Sequence, residues 1–365
     1  MSKIVSISTA LPSFKHQQKN ILGFMQNVFA MNEAEKRKLK FLYHQSAIET
    51  RYSVLNDYSL PPGNWKFYPA TENLEPFPNL ELRMKWYNKT APDLSVKALE
   101  RCIEQKINKE EITHLITVSC TGMSAPGLDL QIMEIMNLPK NIFRTSVNFM
   151  GCYAAIHGMK LADAFCKNDK SAKVLVVCTE LCTLHFQNKA TLDNIASSLL
   201  FGDGSAAILI THDEDKLHGL RLKNFYSEVG FNGKEHMSWQ LSSSGFLMKL
   251  SGYVPDLIEQ DFNRLLQKAL QNANIERDDI SHWCIHPGGK RILTSIEKCT
   301  SISHDDLQYS YKVLNDYGNM SSPTILFVLK EIIDGIEKKI EKRPNIFGAA
   351  FGPGLTMETF ILSDD

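Results

Sequence analysis

Long hydrophobic runs are missing from this chain of 365 residues. No stretch approaches the ~20 apolar residues that a helical membrane span needs, so membrane-spanning helical classes are excluded. A surplus of either charge is missing too. The net charge is −1, and nothing favours nucleic acid or an anionic membrane surface as a partner. Low-complexity segments and short-period repeats are absent. No GxxxxGK[ST] loop occurs, so the glycines around 202–204 and 352–354 do not build a phosphate cradle. Cys178, Cys182 and His185 have metal-ligand residue types, but no second pair at zinc spacing completes a tetrahedral set, and no metal is expected. The eight cysteines (102, 120, 152, 166, 178, 182, 284 and 299) lack disulfide-framework spacing. Several fall in apolar runs, where a free thiol packs as a small hydrophobe, so a reducing compartment is expected. The start MSKIVSISTALPSF reads as a strand and not a secretion signal, so the expected location is the cytoplasm.

What is present is a globular composition, 43% apolar and 22% charged, at a length that suits two domains. The stripe Ile21, Phe24, Met25 and Val28 predicts helix within residues 15–50, followed by the basic stretch 35–40. Residues 56–80 carry Pro, Gly and aromatics and read as an irregular excursion. From about 92 an α/β rhythm begins: helix 92–107, strand 113–119, helix 127–137, strand 142–149, helix 153–168, strand 173–179, helix 191–200 and strand 205–212. The runs HLITV and VLVVC are apolar without alternation, as in strands covered on both faces. A similar rhythm returns with helix 254–272, strand 282–286, helix 288–299, helix 322–339 and two final strands around Phe351-Gly-Pro-Gly354. The pattern predicts two duplicated α/β halves with mixed sheets and helices on both faces, 1–215 and 216–365, divided in the polar stretch 213–219.

Cys152 lies where the β-branched run SVNFMG gives way to a helical pattern. A helix start favours a thiolate, and Gly151 allows close backbone approach. His286 ends the apolar run WCI and precedes Pro-Gly-Gly, and Asn319 sits between Gly318 and MSS before a helix. Each has a plainer explanation: a buried inert thiol, a histidine bonded to turn carbonyls, an N-cap asparagine. Together they form equipment for thioester chemistry, a thiol to hold an acyl group and two N–H donors to stabilise an enolate.

Five segments, GCYAAIHGMKLA around Cys152, SLLFGDGSAAI at 198–208, HPGG at 286–289, YGNMSS at 317–322 and FGPGLTMET at 351–359, resemble the type III polyketide synthases of the chalcone and stilbene synthase family. The resemblance runs from about residue 90 to the C-terminus. It implies a thiolase-like fold, a homodimer, and a Cys-His-Asn site that condenses an acyl-CoA starter with malonyl-CoA, with no separate cofactor. It also implies that Cys152 takes the acyl group, that His286 and Asn319 bind the thioester oxygen, and that Phe201 is a gate aromatic. Gly352, Pro353 and Gly354 are then expected to shape the cavity wall beside Ser321.

Departures from the plant pattern mark the chain as a bacterial-type member. Met248 stands for a second gate Phe, Trp239 and His185 for small cavity residues, and Cys120 and Cys182 fall at cavity positions. Gln45 and Glu49 occupy positions that are basic in plant enzymes, which leaves Lys36, Arg37, Lys40 and Arg51 as candidates to grip CoA phosphates. The expected products are pyrones, resorcinols or related phenols. The alternatives are a β-ketoacyl synthase III-like enzyme served by acyl carrier protein, a Cys-His-Asn peptidase, and an inactive scaffold of the same fold.

Overall fold

The computed structural model describes residues 1–29, 31–339 and 344–364. The chain opens with strands β1 (Ser2–Ala10) and β2 (Phe14–Gln17), continues through helices α1 (Gln18–Val28) and α2 (Glu33–Gln45), and returns as β3 (Thr50–Ser53). Short 3-10 turns fill much of the irregular excursion. Then come α3 (Leu80–Ile103), β4 (His114–Ser119), α4 (Leu128–Met136), β5 (Phe143–Asn148), α5 (Ala154–Asn168), β6 (Lys173–Leu181), α6 (Leu192–Leu200) and β7 (Asp203–His212). The second half has β8 (Leu220–Val229), the hairpin β9 (Met237–Ser242) and β10 (Gly245–Leu250), α7 (Val254–Ala273) and β11 (His282–Ile285). It closes with α8 (Lys290–Thr300), α9 (Gln308–Tyr317), α10 (Thr324–Lys339), β12 (Asn345–Gly352) and β13 (Thr356–Ser363).

A mixed sheet of nine strands, ordered β11-β12-β13-β8-β1-β7-β6-β4-β5, carries both halves. They meet where residues 2–4 of β1 pair with 220–222 of β8, and the connection 213–219 lies between β7 and β8. Strands β4, β6 and β7 are covered on both faces, which their unbroken apolar runs require. One core joins their inward residues, among them Ile116, Val176 and Ile208, to Ile156 and Met159 of α5 and Ile325 and Leu329 of α10. Alternate residues of the same strands, such as Leu115, Leu175 and Leu209, point into a second core with Leu94 and Leu99 of α3. A third core sets Phe262 and Leu266 of α7 against Phe347 and Ile361.

The segment expected to be helical over 15–50 divides in two. Asn32 starts α2, its side chain accepting from the backbone of Ala34 and Glu35 while Glu35 accepts from the Asn32 N–H. Helix α3 begins at Leu80, twelve residues ahead of the expected start at 92, and runs through Pro92. An interior proline costs about 3 kcal/mol, here offset by burial of Tyr87, Ala91, Leu94 and Leu99 along the same face. Strand β8, the β9–β10 hairpin and α9 went unread because their charged and half-exposed residues blur the period.

Candidate active site

Cys152, His286 and Asn319 come from three separate connections and line one cavity of about 1170 Å³, a volume that includes its open mouth. Cys152 lies beyond the carboxyl end of β5, two residues before α5. The turn that presents it depends on Gly151, whose φ of +83° is a left-handed conformation. A Cβ there would lie 2.2 Å from the Pro353 ring, and one on Gly352 would lie 3.2 Å from the Cys152 backbone nitrogen. The FGPG turn is therefore packed against the back of the nucleophile. Pro353 lines the cavity, whereas Gly352 and Gly354, expected in the wall, do not: Gly352 serves the close approach and Gly354 the turn, at φ +75°.

Asn319 is held at both ends. Its backbone N–H donates to Leu200 O (2.9 Å), and its carbonyl accepts from the Gly202 N–H (2.9 Å), stitching its loop to the one carrying Phe201. Its Oδ1 accepts from the Ser321 N–H at 2.7 Å, which turns Nδ2 the other way, towards Gly288 O at 3.3 Å. The carboxamide is thus oriented, with Nδ2 on the His286–Gly288 turn and Oδ1 on the side of Cys152. Cys152 Sγ lies 3.6 Å from Ser321 Oγ and 4.0 Å from Asn319 Oδ1.

His286 follows β11, its N–H donating to Ala349 O (2.9 Å). The ring is buried, and among the described residues neither Nδ1 nor Nε2 has a partner. A buried polar atom without a partner is costly, so this ring is open to a hydrogen bond from a bound molecule. Burial lowers the imidazole pKa to about 3, and burial likewise raises the Cys152 thiol to about 11, against the relief given by Ser321 and Asn319. A helix start alone favours a thiolate, but here desolvation by burial outweighs the dipole.

Phe201, Cys120, Cys182, His185, Trp239, Met248 and Ser321 all line the cavity. Trp239 and Met248 face one another across the β9–β10 hairpin, and the Trp239 Nε1–H donates to Cys120 O at 2.7 Å. His185 stacks on Phe246 with ring centres 4.3 Å apart. Its Nε2 bonds Thr121 O (2.8 Å) and its Nδ1 accepts from the Phe246 N–H (3.1 Å), so both nitrogens are consumed and the ring is a flat wall. Burial drives its pKa down to about 3.

The expected CoA-binding set needs correction. Arg51 is buried, its Nε donating to Gln18 Oε1 (3.0 Å) and its Nη1 to Phe201 O (2.6 Å). It lines the cavity and buttresses the Phe201 loop, and it is not a surface phosphate clamp. Lys36, Arg37 and Lys40 lie on α2 and are not among the lining residues. Lys36 pairs with Glu33 at 3.0 Å.

Sequence reasoning missed Glu180. This carboxylate at the end of β6 is fully buried and accepts from the Cys120 N–H (2.9 Å), Thr121 Oγ1 (2.7 Å) and Ser322 Oγ (2.7 Å). It ties the β4 connection to the loop that carries Asn319. Burial nevertheless raises its pKa to about 7, the three hydrogen bonds recovering only part of the lost hydration. The signal was visible: a glutamate directly after the apolar run VLVVCT must be buried with its strand.

Comparison with known proteins agrees with this geometry. Residues 1–214 match the model for the chalcone and stilbene synthases, N-terminal domain, and 225–364 the model for their C-terminal domain. Type III polyketide synthase C of Arabidopsis thaliana is 30% identical over 371 residues, covering 98% of this chain and 94% of that protein. The crystal structure of PKS-I from the brown alga Ectocarpus siliculosus superposes with a TM-score of 0.92 at 25% identity, covering 99% of this chain and 97% of that one. The C-terminal type III polyketide synthase domain of Steely1, a type I/III hybrid from Dictyostelium, gives 0.90 at 28% identity over 99% and 98% of the two chains.

Proposed function

Because the chain belongs to the chalcone and stilbene synthase family and is a type III polyketide synthase, an acyltransferase of thiolase-like fold, we propose how its own residues carry the reaction. The observation that carries the proposal is a thiol, an imidazole with both nitrogens free, and an oriented carboxamide in one cavity. Cys152 passes its proton to His286, a transfer that creates a mutually neutralising thiolate–imidazolium pair in place of a lone buried charge. The thiolate attacks the carbonyl of an acyl-CoA starter. The carbon–sulfur bond to CoA breaks, and CoA leaves as a thiol with the proton from His286.

Malonyl-CoA then enters. Loss of CO2 leaves an enolate whose oxygen accepts from His286 and from Asn319 Nδ2, two donors aimed in advance at the developing charge. Phe201 presents an apolar face, and an apolar neighbour favours release of the carboxylate as CO2. The enolate carbon attacks the Cys152 thioester, the thiolate departs, and the extended chain, now on CoA, reloads for further rounds before cyclising to a pyrone, resorcinol or related phenol. CoA thioesters are the substrates, and no metal or redox cofactor takes part. Homodimerisation and a cytoplasmic location complete the proposal. The second is supported by eight unpaired cysteines, seven of them buried, which suit a reducing compartment.

The test is product analysis with malonyl-CoA and a panel of acyl-CoA starters. Polyketide masses that vanish in Cys152→Ala support the mechanism. Turnover only when malonyl-acyl carrier protein replaces malonyl-CoA would overturn it in favour of a ketoacyl synthase.

A further inference from the structure

Helix α6 ends at Phe201, which lines the cavity, and the last carbonyls of any helix find no partner within it. Here three consecutive ones are met from outside α6. Gln18 Nε2 donates to Leu199 O (2.9 Å), the Asn319 backbone N–H to Leu200 O (2.9 Å) and Arg51 Nη1 to Phe201 O (2.6 Å). A cation at this end of a helix also suits its dipole. Gln18 and Arg51 act as one unit, because Arg51 Nε donates to Gln18 Oε1 at 3.0 Å. The β2–β3 pair sets that contact, with Gln17 opposite Thr50 and the Gln18 N–H donating to Glu49 O (2.8 Å). The same strand is tied to α9, which leads into the Asn319 loop. The Glu49 N–H donates to Asn315 O (2.9 Å) and the Thr50 hydroxyl to Asp316 O (2.6 Å). Between the two loops lies the Arg51 stem, packed so closely on Gly318 that a Cβ there would stand 2.8 Å from Arg51 Cδ.

We propose that Arg51, held by Gln18, is a positioning residue for malonyl-CoA decarboxylation, fixing the Phe201 ring and the Asn319 carboxamide in one geometry. The inference rests on the synthase reading and deepens it. Decarboxylation asks for an apolar face at the carboxylate and an N–H donor at the thioester oxygen at the same moment. Both groups hang on backbone that is joined where the Gly202 N–H donates to Asn319 O (2.9 Å), and Arg51 grips that junction from beneath. Cys152 and His286, which carry the acyl transfer, stand on other connections and are held by other bonds. Loss of Arg51 should therefore fall on decarboxylation far more than on acylation. Arg51 also lines the cavity, and among the described residues its Nη2 has no partner. Direct capture of the malonyl carboxylate by Nη2 is the rival role, and the two roles differ in kinetic signature.

The experiment follows CO2 release from labelled malonyl-CoA without a starter, and in parallel the acylation of Cys152 by an acyl-CoA, read by intact mass. Arg51→Met removes the guanidinium and keeps an unbranched stem. Its kcat for decarboxylation should fall by roughly 10- to 100-fold, since a misplacement of about 1 Å can cost about 10²-fold. KM for malonyl-CoA should change by less than about twofold, the mark of an interaction that acts in the transition state. The ratio of decarboxylation to acylation should drop by about tenfold or more. Gln18→Met should give the same signature in weaker form, and it carries the test should Arg51→Met fold poorly. Arg51→Lys keeps the cation but has no planar fork to span Gln18 and Phe201 O, so it should recover only part of the loss. A raised KM with kcat retained would overturn positioning in favour of capture by Nη2. Equal losses of acylation and decarboxylation alongside a lowered urea midpoint would reduce Arg51 to support of the fold and overturn it too, as would unchanged kinetics. A wild-type protein that releases no CO2 from malonyl-CoA would instead refute the synthase mechanism itself.

Discussion

Replacing Gly151 by alanine tests whether the FGPG turn fixes the nucleophile. Two penalties can be worked from the structure. A side chain at φ +83° occupies the left-handed region, at about 1–2 kcal/mol. The new Cβ would also sit 2.2 Å from Pro353 Cδ, whereas carbons in contact stand about 3.5–4.0 Å apart, so ring or turn must retreat by more than about 1 Å. Overpacking of this kind costs about 1–3 kcal/mol, and the expected loss of stability is therefore roughly 2–5 kcal/mol, read as a lowered urea midpoint. The catalytic effect should exceed the stability effect, because a misplacement of about 1 Å can cost about 10²-fold in rate. Acylation of Cys152 by acyl-CoA, followed by intact mass under conditions where the variant is folded, should slow by that order. A Gly151→Ala protein with wild-type midpoint and wild-type acylation rate would refute the packing argument.

Asn319→Ala removes one oxyanion donor and should slow malonyl-CoA decarboxylation by roughly 10²–10³, whereas a twofold change would reduce Asn319 to a turn residue. His286→Gln removes the proton acceptor proposed for the Cys152 thiol, whose pKa burial raises to about 11. Iodoacetamide should therefore alkylate Cys152 more slowly than in wild type at pH 7, with the two rates converging at high pH; equal rates at pH 7 would contradict proton transfer to His286. Glu180 has its folded pKa raised to about 7 from 4.5. The folded state thus holds the proton more tightly, and the associated stability is fully present below about pH 4.5 and lost as pH rises through 7. Each unit is worth about 1.4 kcal/mol, so Glu180→Gln should abolish a decline of roughly 3 kcal/mol between pH 4.5 and 8 in urea titrations; identical pH slopes would refute it.

The strands of the first half were legible because burial on both faces writes itself as unbroken apolar runs, as in VLVVC. The catalytic triad was legible because each member stands at a break between elements, marked by Gly or Pro. The same logic failed where residues are buried for polar reasons. Arg51 looks like a surface cation in sequence, yet it is buried, with Nε on Gln18 and Nη1 on the Phe201 carbonyl. Glu180 resembles any strand-end carboxylate until its three donors from two other connections are seen. Helix α3 was read late because Pro92 normally ends a helix, and tertiary burial overrode that preference. The thiol was read as activated by its helix, but the depth of the cavity, which no local pattern encodes, opposes the dipole.

The central claim is that Cys152, and neither of the two other thiols lining the cavity, carries the acyl chain. Incubation with an alkanoyl-CoA in the absence of malonyl-CoA, followed by intact mass and peptide mapping, tests it most directly. The account predicts one acyl adduct, on the peptide containing Cys152, absent from Cys152→Ala. An adduct on Cys120 or Cys182 that persists in Cys152→Ala, or malonyl-dependent product formation by that variant, would contradict it.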